Sequence, residues 1–133
     1  AGQSASLTQP QLDAMWAAFD TKVATPFRKA QIPFAFTVGN HDASDGFQLE
    51  RERTRVYWRT PGKYPGMHPV DTTNYPFYFS YMDRPNGDIF FVTWDANSSI
   101  ISSPEIEWVK QQFASPLAQR AKYRFLVGHM PLY

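Results

Sequence analysis

One short stretch constrains the fold more than any other: an apolar run that ends in a glycine and three polar residues. Phe34 to Val38 is a compact run with aromatic and β-branched residues between Pro33 and Gly39, and so short a run is typical of a buried strand rather than a helix. Gly39 permits a sharp turn. We therefore expect the Asn-His-Asp at 40–42 to leave the strand at its carboxyl end, the edge where ligands bind in open α/β sheets.

The residue types at this edge suit a reactive site as well as a polar turn. The side-chain oxygen of Asn40 is a neutral metal ligand, and His41 can bind a metal or transfer a proton. A neighbouring carboxylate such as Asp42 can fix the tautomer and orientation of an imidazole. A polar turn after a buried strand explains the same residues, so this stretch alone leaves both interpretations open.

Composition limits the class of protein. We expect residues 1–133 to form a single domain with a hydrophobic core, and 43% hydrophobic and 19% charged residues are typical of a globular chain. A formal net charge of +1 gives no reason to expect nucleic acid or an anionic membrane as a partner. Cysteine is absent, which excludes disulfides and thiolate metal sites, and no apolar run reaches transmembrane length.

Apolar residues at helical spacing predict two amphipathic helices. The first has a capping box at Thr8 and Gln11, and Pro26 is expected to break or kink it. Its predicted buried face comprises Leu12, Met15, Trp16, Phe19 and Val23. The second is predicted to begin with Ser103 as its N-cap and to end at Ser115. Its predicted buried face comprises Ile106, Val109 and Phe113.

The region between these helices has three parts. Alternating charges at 50–53 predict a solvated helix face. Residues 59–76 contain four prolines and two glycines and are interpreted as a long loop, in which His68 is a lone histidine. Two runs of β-forming residues, 77–82 and 89–94, are separated by strong turn residues and predict an antiparallel hairpin.

The last predicted strand, 123–127, repeats the pattern of the first, because it ends in a glycine followed by His129. If the two strands run parallel in one sheet, Asn40 and His129 leave it at the same edge. Asp95 and Asn97 follow the second strand of the hairpin and reach toward the same edge, although an ordinary cap of the strand end also explains them.

Two tetrapeptides resemble motifs of a known family. Gly39-Asn40-His41-Asp42 resembles the G-N-H-D block of the calcineurin-like metallophosphoesterases, and Gly128-His129-Met130-Pro131 resembles their G-H-x-P block, in the same order. The resemblance implies an α/β fold, a layered sandwich of mixed β-sheet flanked by helices. It also implies metal-dependent hydrolysis of phosphate esters.

The resemblance further implies a role for each matched residue. Asn40 and His129 would bind one metal of a pair, and His41 would contact the phosphoryl group or protonate the leaving oxygen. Asp42 would orient His41. The two ions would be divalent or trivalent, drawn from manganese, iron, zinc, cobalt and nickel, and would activate the attacking water.

Three other blocks of the family, D-x-H, G-D-x-x-D and G-H-x-H, are absent from these residues. We therefore expect an internal fragment that starts just after the G-D block, at Ala1. The missing ligands would come from the rest of a parent chain or from a partner segment. Because even a catalytic zinc site usually has three protein ligands, we expect the chain alone to bind metal weakly and to hydrolyse little.

Two other interpretations remain open. In a non-catalytic binding module, the 17% aromatic residues and the proline-rich loop would form a recognition surface for sugars or peptides. Such a module would keep its ligand in the presence of a chelator. In a degenerate phosphoesterase fold, the domain would serve only structure or interaction. The phosphate-ester class, the metal and the localisation do not follow from the sequence.

Overall fold

The computed structural model describes residues 7–43, 46–64, 66–95 and 101–129. Its helices are α1 (Gln9–Phe19), α2 (Thr25–Lys29), α3 (Asn40–Ala43), α4 (Gln48–Arg59), α5 (Ser103–Ala114) and α6 (Pro116–Arg120). Its strands are β1 (His68–Asp71), β2 (Phe79–Met82), β3 (Ile89–Thr93) and β4 (Tyr123–Val127). A mixed sheet with helices around it confirms the predicted α/β class.

The four strands form one sheet in the order β1-β2-β3-β4. The predicted hairpin is confirmed, since β2 and β3 pair antiparallel. The last strand is also confirmed, and it runs parallel to β3 with Thr93 opposite Val127. The carboxyl ends of β3 and β4 therefore lie side by side at one edge of the sheet.

The first helix continues through Pro26 instead of breaking there. A π-helical turn, Asp20–Ala24, follows α1 directly and leads into α2, which ends at Lys29. In this turn the backbone N–H of Thr25 reaches the carbonyl of Asp20. The wider turn accommodates the proline, which has no N–H to donate.

The capping box of α1 is confirmed, because the backbone N–H of Thr8 donates to Gln11 Oε1 over 2.9 Å. The predicted buried face is too wide. Leu12 is buried, whereas the side chains of Met15 and Val23 are 47% and 39% exposed. The structure places the last two on the flanks of the face rather than at its centre.

Helix α5 begins one residue earlier than expected. Ser102, not Ser103, is the N-cap, and its hydroxyl accepts a hydrogen bond from the backbone N–H of Glu105 over 3.4 Å. Ile106 is 39% exposed, so its predicted burial is wrong, while Val109 and Phe113 pack against the core as predicted.

Two predictions for the middle of the chain need correction. The charged segment is helical, as α4, but Glu50 and Thr54 within it are buried, so the helix is not a purely solvated element. Residues 59–76 are not all loop, because β1 lies within them and pairs antiparallel with β2. β1 has only four residues and contains Pro69, so local composition indicates a loop there rather than a strand.

The predicted strand at 34–38 is wrong. Residues 32–39 have no regular secondary structure, and no strand pairs with them in the part of the chain that the structure describes. The segment is nevertheless well packed: Val38 is 3% exposed, and the Phe36 ring stacks on Trp58 with centroids 3.8 Å apart. Side-chain packing replaces the expected ladder of hydrogen bonds.

The core consists of two main clusters. The first, here called the aromatic cluster, is Tyr57, Trp58, Met67, Tyr75, Phe79 and Tyr81, with Trp16, Phe19 and Phe36 packed against it. The second is Met82, Phe90, Val92, Ala118 and Ala121, covered by α5 and α6. Over the described residues, no helix has the length and apolar character needed to cross a membrane.

Candidate functional site

The Asn-His-Asp residues occupy the short helix α3, directly after Gly39. The backbone N–H of Asp42 donates to the Gly39 carbonyl over 2.9 Å, and Asp42 Oδ2 accepts from the Gly39 N–H over 3.1 Å. This reciprocal pair satisfies backbone groups at the start of the helix. The orientation of His41 by Asp42 stays a prediction, because the contact that the structure gives for this carboxylate is to Gly39.

Helix α4 packs against α3. The hydroxyl of Thr54, which is 2% exposed, donates to the backbone carbonyl of Asp42 over 3.0 Å. The His41 ring lies with its centroid 5.2 Å from that of Phe47, just before α4. Both contacts tie α3 to the same neighbouring helix.

The second polar block reaches the first. His129 follows β4, and a Cβ built on Gly39 would lie 3.4 Å from Cγ and Cδ2 of its imidazole. The histidine ring therefore packs against the backbone of Gly39. The structure thus brings His129 together with Asn40, His41 and Asp42, from which it is far apart in sequence.

The approach of β4 requires a second glycine. A Cβ at Gly128 would lie 1.5 Å from Nε1 of Trp94, which is far inside contact distance. The Trp94 side chain is 2% exposed, and its backbone N–H donates to the Val127 carbonyl over 3.2 Å. His129 is therefore placed by a tight passage of the chain over a buried indole.

The four candidate residues border a cavity of about 380 Å³. Apolar side chains also line this cavity, among them Met15, Trp16 and Phe36. Glu50 also lines it, although that side chain is only 6% exposed. Sequence reasoning missed Glu50, because the alternating charges around it indicated solvent exposure.

Asp95 lies at the carboxyl end of β3 and is held by α4 and α5. Its Oδ2 forms an ion pair with Nη2 of Arg51 over 2.8 Å, and its backbone N–H donates to Glu105 Oε1 over 2.6 Å. Burial raises the pKa of the Glu105 carboxyl. The Arg51 guanidinium also lies 3.7 Å from the centroid of the Phe77 ring. Asn97 lies outside the described residues.

His68 is separate from this group. It lies on β1 and lines a second cavity of about 350 Å³ together with Arg28 and Tyr64. It does not border the cavity of the four candidate residues.

The residues at the first cavity fit a metal ion only in part. Asn40 offers one amide oxygen and His129 one imidazole nitrogen, and Asp42 is engaged by the Gly39 N–H. Within residues 7–43, 46–64, 66–95 and 101–129, no group of three or more His, Cys, Asp or Glu side chains is arranged to hold a metal. The described residues therefore do not form a metal centre by themselves.

Comparison with known proteins agrees with the resemblance of the two blocks. The sequence model of the calcineurin-like phosphoesterases matches residues 8–133, which is nearly the whole chain. No curated protein and no solved structure gives a significant match. The family match covers both blocks and the α/β elements between them. The general activity of the family is metal-dependent hydrolysis of phosphate esters. On this match, and with both blocks meeting at one cavity, the chain belongs to the calcineurin-like phosphoesterase family.

Proposed function

We propose that this chain supplies part of the site of a two-metal phosphoesterase, with the phosphoryl group bound at the cavity beside α3. One observation carries the proposal: the His129 ring packs on Gly39, so both family blocks border the same space. A shared site needs this proximity, and the family match alone does not require it.

His41 is the residue proposed to act on the substrate. Its side chain is half-buried and borders the cavity, where it can donate a hydrogen bond to a phosphoryl oxygen. A protonated imidazole can instead give its proton to the leaving oxygen as the ester bond breaks, and then recover a proton from solvent. Either role requires an imidazole that is both fixed and reachable.

Asn40 and His129 are proposed as ligands of one metal ion. A bound pair of metal ions would neutralise phosphate charge and supply a nucleophilic water. The other ligands would come from outside the described residues, in line with the two donors found here. The metal would be manganese, iron, zinc, cobalt or nickel, all of which accept nitrogen and oxygen ligands.

Metal binding is tested with Mn²⁺ by electron paramagnetic resonance at equilibrium, which counts free ion and so detects weak binding. We expect saturable binding by the wild-type chain and its loss in the Asn40→Ala, His129→Ala double variant. The matched control is His68→Ala, which removes a histidine from the other cavity and should bind as the wild type does. Equal binding by the wild type and the double variant would rule out these two ligands.

Catalysis is tested with p-nitrophenyl phosphate and its bis ester in excess Mn²⁺. We expect low turnover by the wild type and a fall of at least about 100-fold in His41→Ala, because general acid catalysis typically contributes that much. His68→Ala should keep the wild-type rate. Turnover that survives His41→Ala would remove the proposed role of that residue.

The rival binding module receives less support from the packing. Many of the aromatic rings that a recognition surface would need are instead packed on one another in the core, as Trp16 is on Tyr57 with centroids 4.3 Å apart. Absence of any saturable Mn²⁺ binding by the wild type would favour a degenerate phosphoesterase fold.

A further inference from the structure

The two halves of the candidate site are carried by different parts of the fold. Residues 40–42 lie in α3, which is tied to α4 through the hydrogen bond from Thr54 to the Asp42 carbonyl. His129 follows β4, which is tied to β3 by the parallel ladder. The distance between the halves therefore depends on how α4 is held against the end of β3.

The aromatic cluster packs α4 against β2, and one ion pair connects α4 directly to the end of β3. Nη2 of Arg51, on α4, lies 2.8 Å from Oδ2 of Asp95, a residue just beyond β3. Among the described residues, no other ion pair joins α4 to the sheet. The side-chain hydrogen bond from Thr37 to the Trp94 carbonyl is long, at 3.5 Å, and contributes little.

Both members of the pair are rigidly placed. Asp95 is 4% exposed, its backbone N–H is bound by Glu105, and the neighbouring Trp94 is bound to Val127. Arg51 lies over the Phe77 ring, which limits the positions of its guanidinium. A fixed pair of this kind transmits position from one element to the other.

The buried carboxylate also depends on this partner. Asp95 Oδ1 is buried and has no hydrogen-bond partner in the described part of the chain. Removing the guanidinium would leave a buried charge without its counter-ion, which is unfavourable unless the elements move apart and admit water. The local response to losing Arg51 is thus a separation of α4 from the end of β3.

We propose that Arg51 and Asp95 are positioning residues, whose ion pair sets the separation between α3 and His129. Neither is proposed to touch substrate or metal. The inference concerns the same site as the proposed function and rests on it for its functional meaning, but its geometric content can be measured independently.

The measurement is the nuclear Overhauser cross-peak between a Gly39 α-hydrogen and Hδ2 of His129, recorded without metal. Cδ2 of the ring lies 3.4 Å from the position that a Gly39 Cβ would occupy, so one α-hydrogen faces the ring. We expect the cross-peak in the wild type and its loss in Arg51→Met and in Asp95→Asn. We expect Arg51→Lys, which keeps a cation beside Asp95, to retain it.

The matched control is Arg53→Met on the same helix. Arg53 forms an ion pair with Asp13 of α1, on the side away from the sheet end. Arg53→Met removes an ion pair of α4 by the same change of side chain as Arg51→Met. It should nevertheless keep the cross-peak. All variants are compared as folded samples, judged by amide dispersion, and Asp95→Asn carries the test if Arg51→Met fails to fold.

Affinity for Mn²⁺ supplies a second readout. We expect a fall of about tenfold or more in the two disrupting variants and no change in Arg53→Met, as is typical when groups that orient ligands are removed. A folded Arg51→Met or Asp95→Asn that keeps both cross-peak and affinity would overturn the inference. If the wild type binds no Mn²⁺, the proposed function fails, and the cross-peak comparison still decides the positioning role.

Discussion

The two polar blocks of the site follow the same sequence pattern, yet the fold holds them in opposite ways. Residues 34–38 have no strand partner in the described part of the chain, but Val38 before the first block is 3% exposed. Strand β4 before the second block is fully paired with β3, but its Tyr123 and Phe125 are 51% and 48% exposed.

The first block is therefore positioned by buried side chains and the second by backbone hydrogen bonds. An apolar run followed by glycine and a polar residue does not distinguish these cases. Burial of apolar side chains stabilises the folded state strongly. An exposed side chain on a paired strand adds little to the stability that the backbone hydrogen bonds of the strand provide. Substitutions on the two sides should thus have very unequal costs.

The largest expected effect is in the packing behind the first block. Trp58 is 4% exposed, and Trp58→Ala leaves a cavity beneath Phe36 and so should lower the free energy of unfolding by about 3–5 kcal/mol. Phe125→Ala on β4 should cost less than about 1 kcal/mol. Urea unfolding of both variants measures the difference, and equal losses would contradict the comparison.

The second largest effect is expected at the two glycines that precede the polar blocks. Because a Cβ at Gly128 overlaps the Trp94 indole, Gly128→Ala should lower the free energy of unfolding by about 2–3 kcal/mol. At Gly39 the nearest atom, Asp42 Oδ2, is 3.1 Å from a built Cβ. Gly39→Ala should therefore cost less than about 1 kcal/mol in urea unfolding. A larger loss for Gly39→Ala than for Gly128→Ala would mean that Trp94 yields more readily than the packing implies.

The smallest expected effect concerns the stability of the protein at acid pH. Hydrogen bonds from Lys63, and then from Tyr57 and Arg28, outweigh burial and hold the pKa of Asp20 well below its usual range. The stability that this carboxylate contributes is present above its unfolded pKa and is lost as pH falls through the folded pKa. We expect Asp20→Asn to cost about 1–2 kcal/mol at pH 7 and to flatten the acid limb of the stability curve.

The control for this measurement is Asp88→Asn, since the Asp88 side chain is 65% exposed and its pairing with Arg84 is long, at 3.6 Å. It should change the free energy of unfolding by less than about 0.5 kcal/mol. On the side of the second block, Arg124 donates instead to the carbonyls of Ala118 and Ala121, which do not titrate in acid. An acid limb that is unchanged in Asp20→Asn would show that other carboxylates set it.

Much of the architecture follows from local signals. The capping box at Thr8 precedes a helix, the turn residues between β2 and β3 make the hairpin, and the run before Gly128 is a strand. Each of these depends on residues that are neighbours in sequence. Helical and strand periodicity therefore suffice to predict them.

The errors concern features that depend on tertiary contacts or on unusual backbone. The strand β1 exists because β2 pairs with it, and residues 34–38 are irregular because no strand does so in the described chain. The π-helical turn before Pro26 is a tertiary accommodation that composition does not indicate. Exposure of Met15 likewise depends on which elements cover α1.

The site was predictable in its residue types more than in its contacts. The two blocks name Asn40, His41, Asp42 and His129, but their mutual approach depends on Gly39 and the sheet end. The burial of Glu50 was missed, because a charge pattern reports only the average environment of a helix.

The aromatic packing also gives the molecule an optical property. Trp16 and Trp58 are 6.2 Å apart and nearly perpendicular, an arrangement that couples their electronic transitions and gives a near-ultraviolet dichroic signal. Trp94 is enclosed separately beside Gly128, so its emission wavelength depends on that passage staying dry. The near-ultraviolet dichroism during heating therefore reports when the packing on the side of α3 is lost.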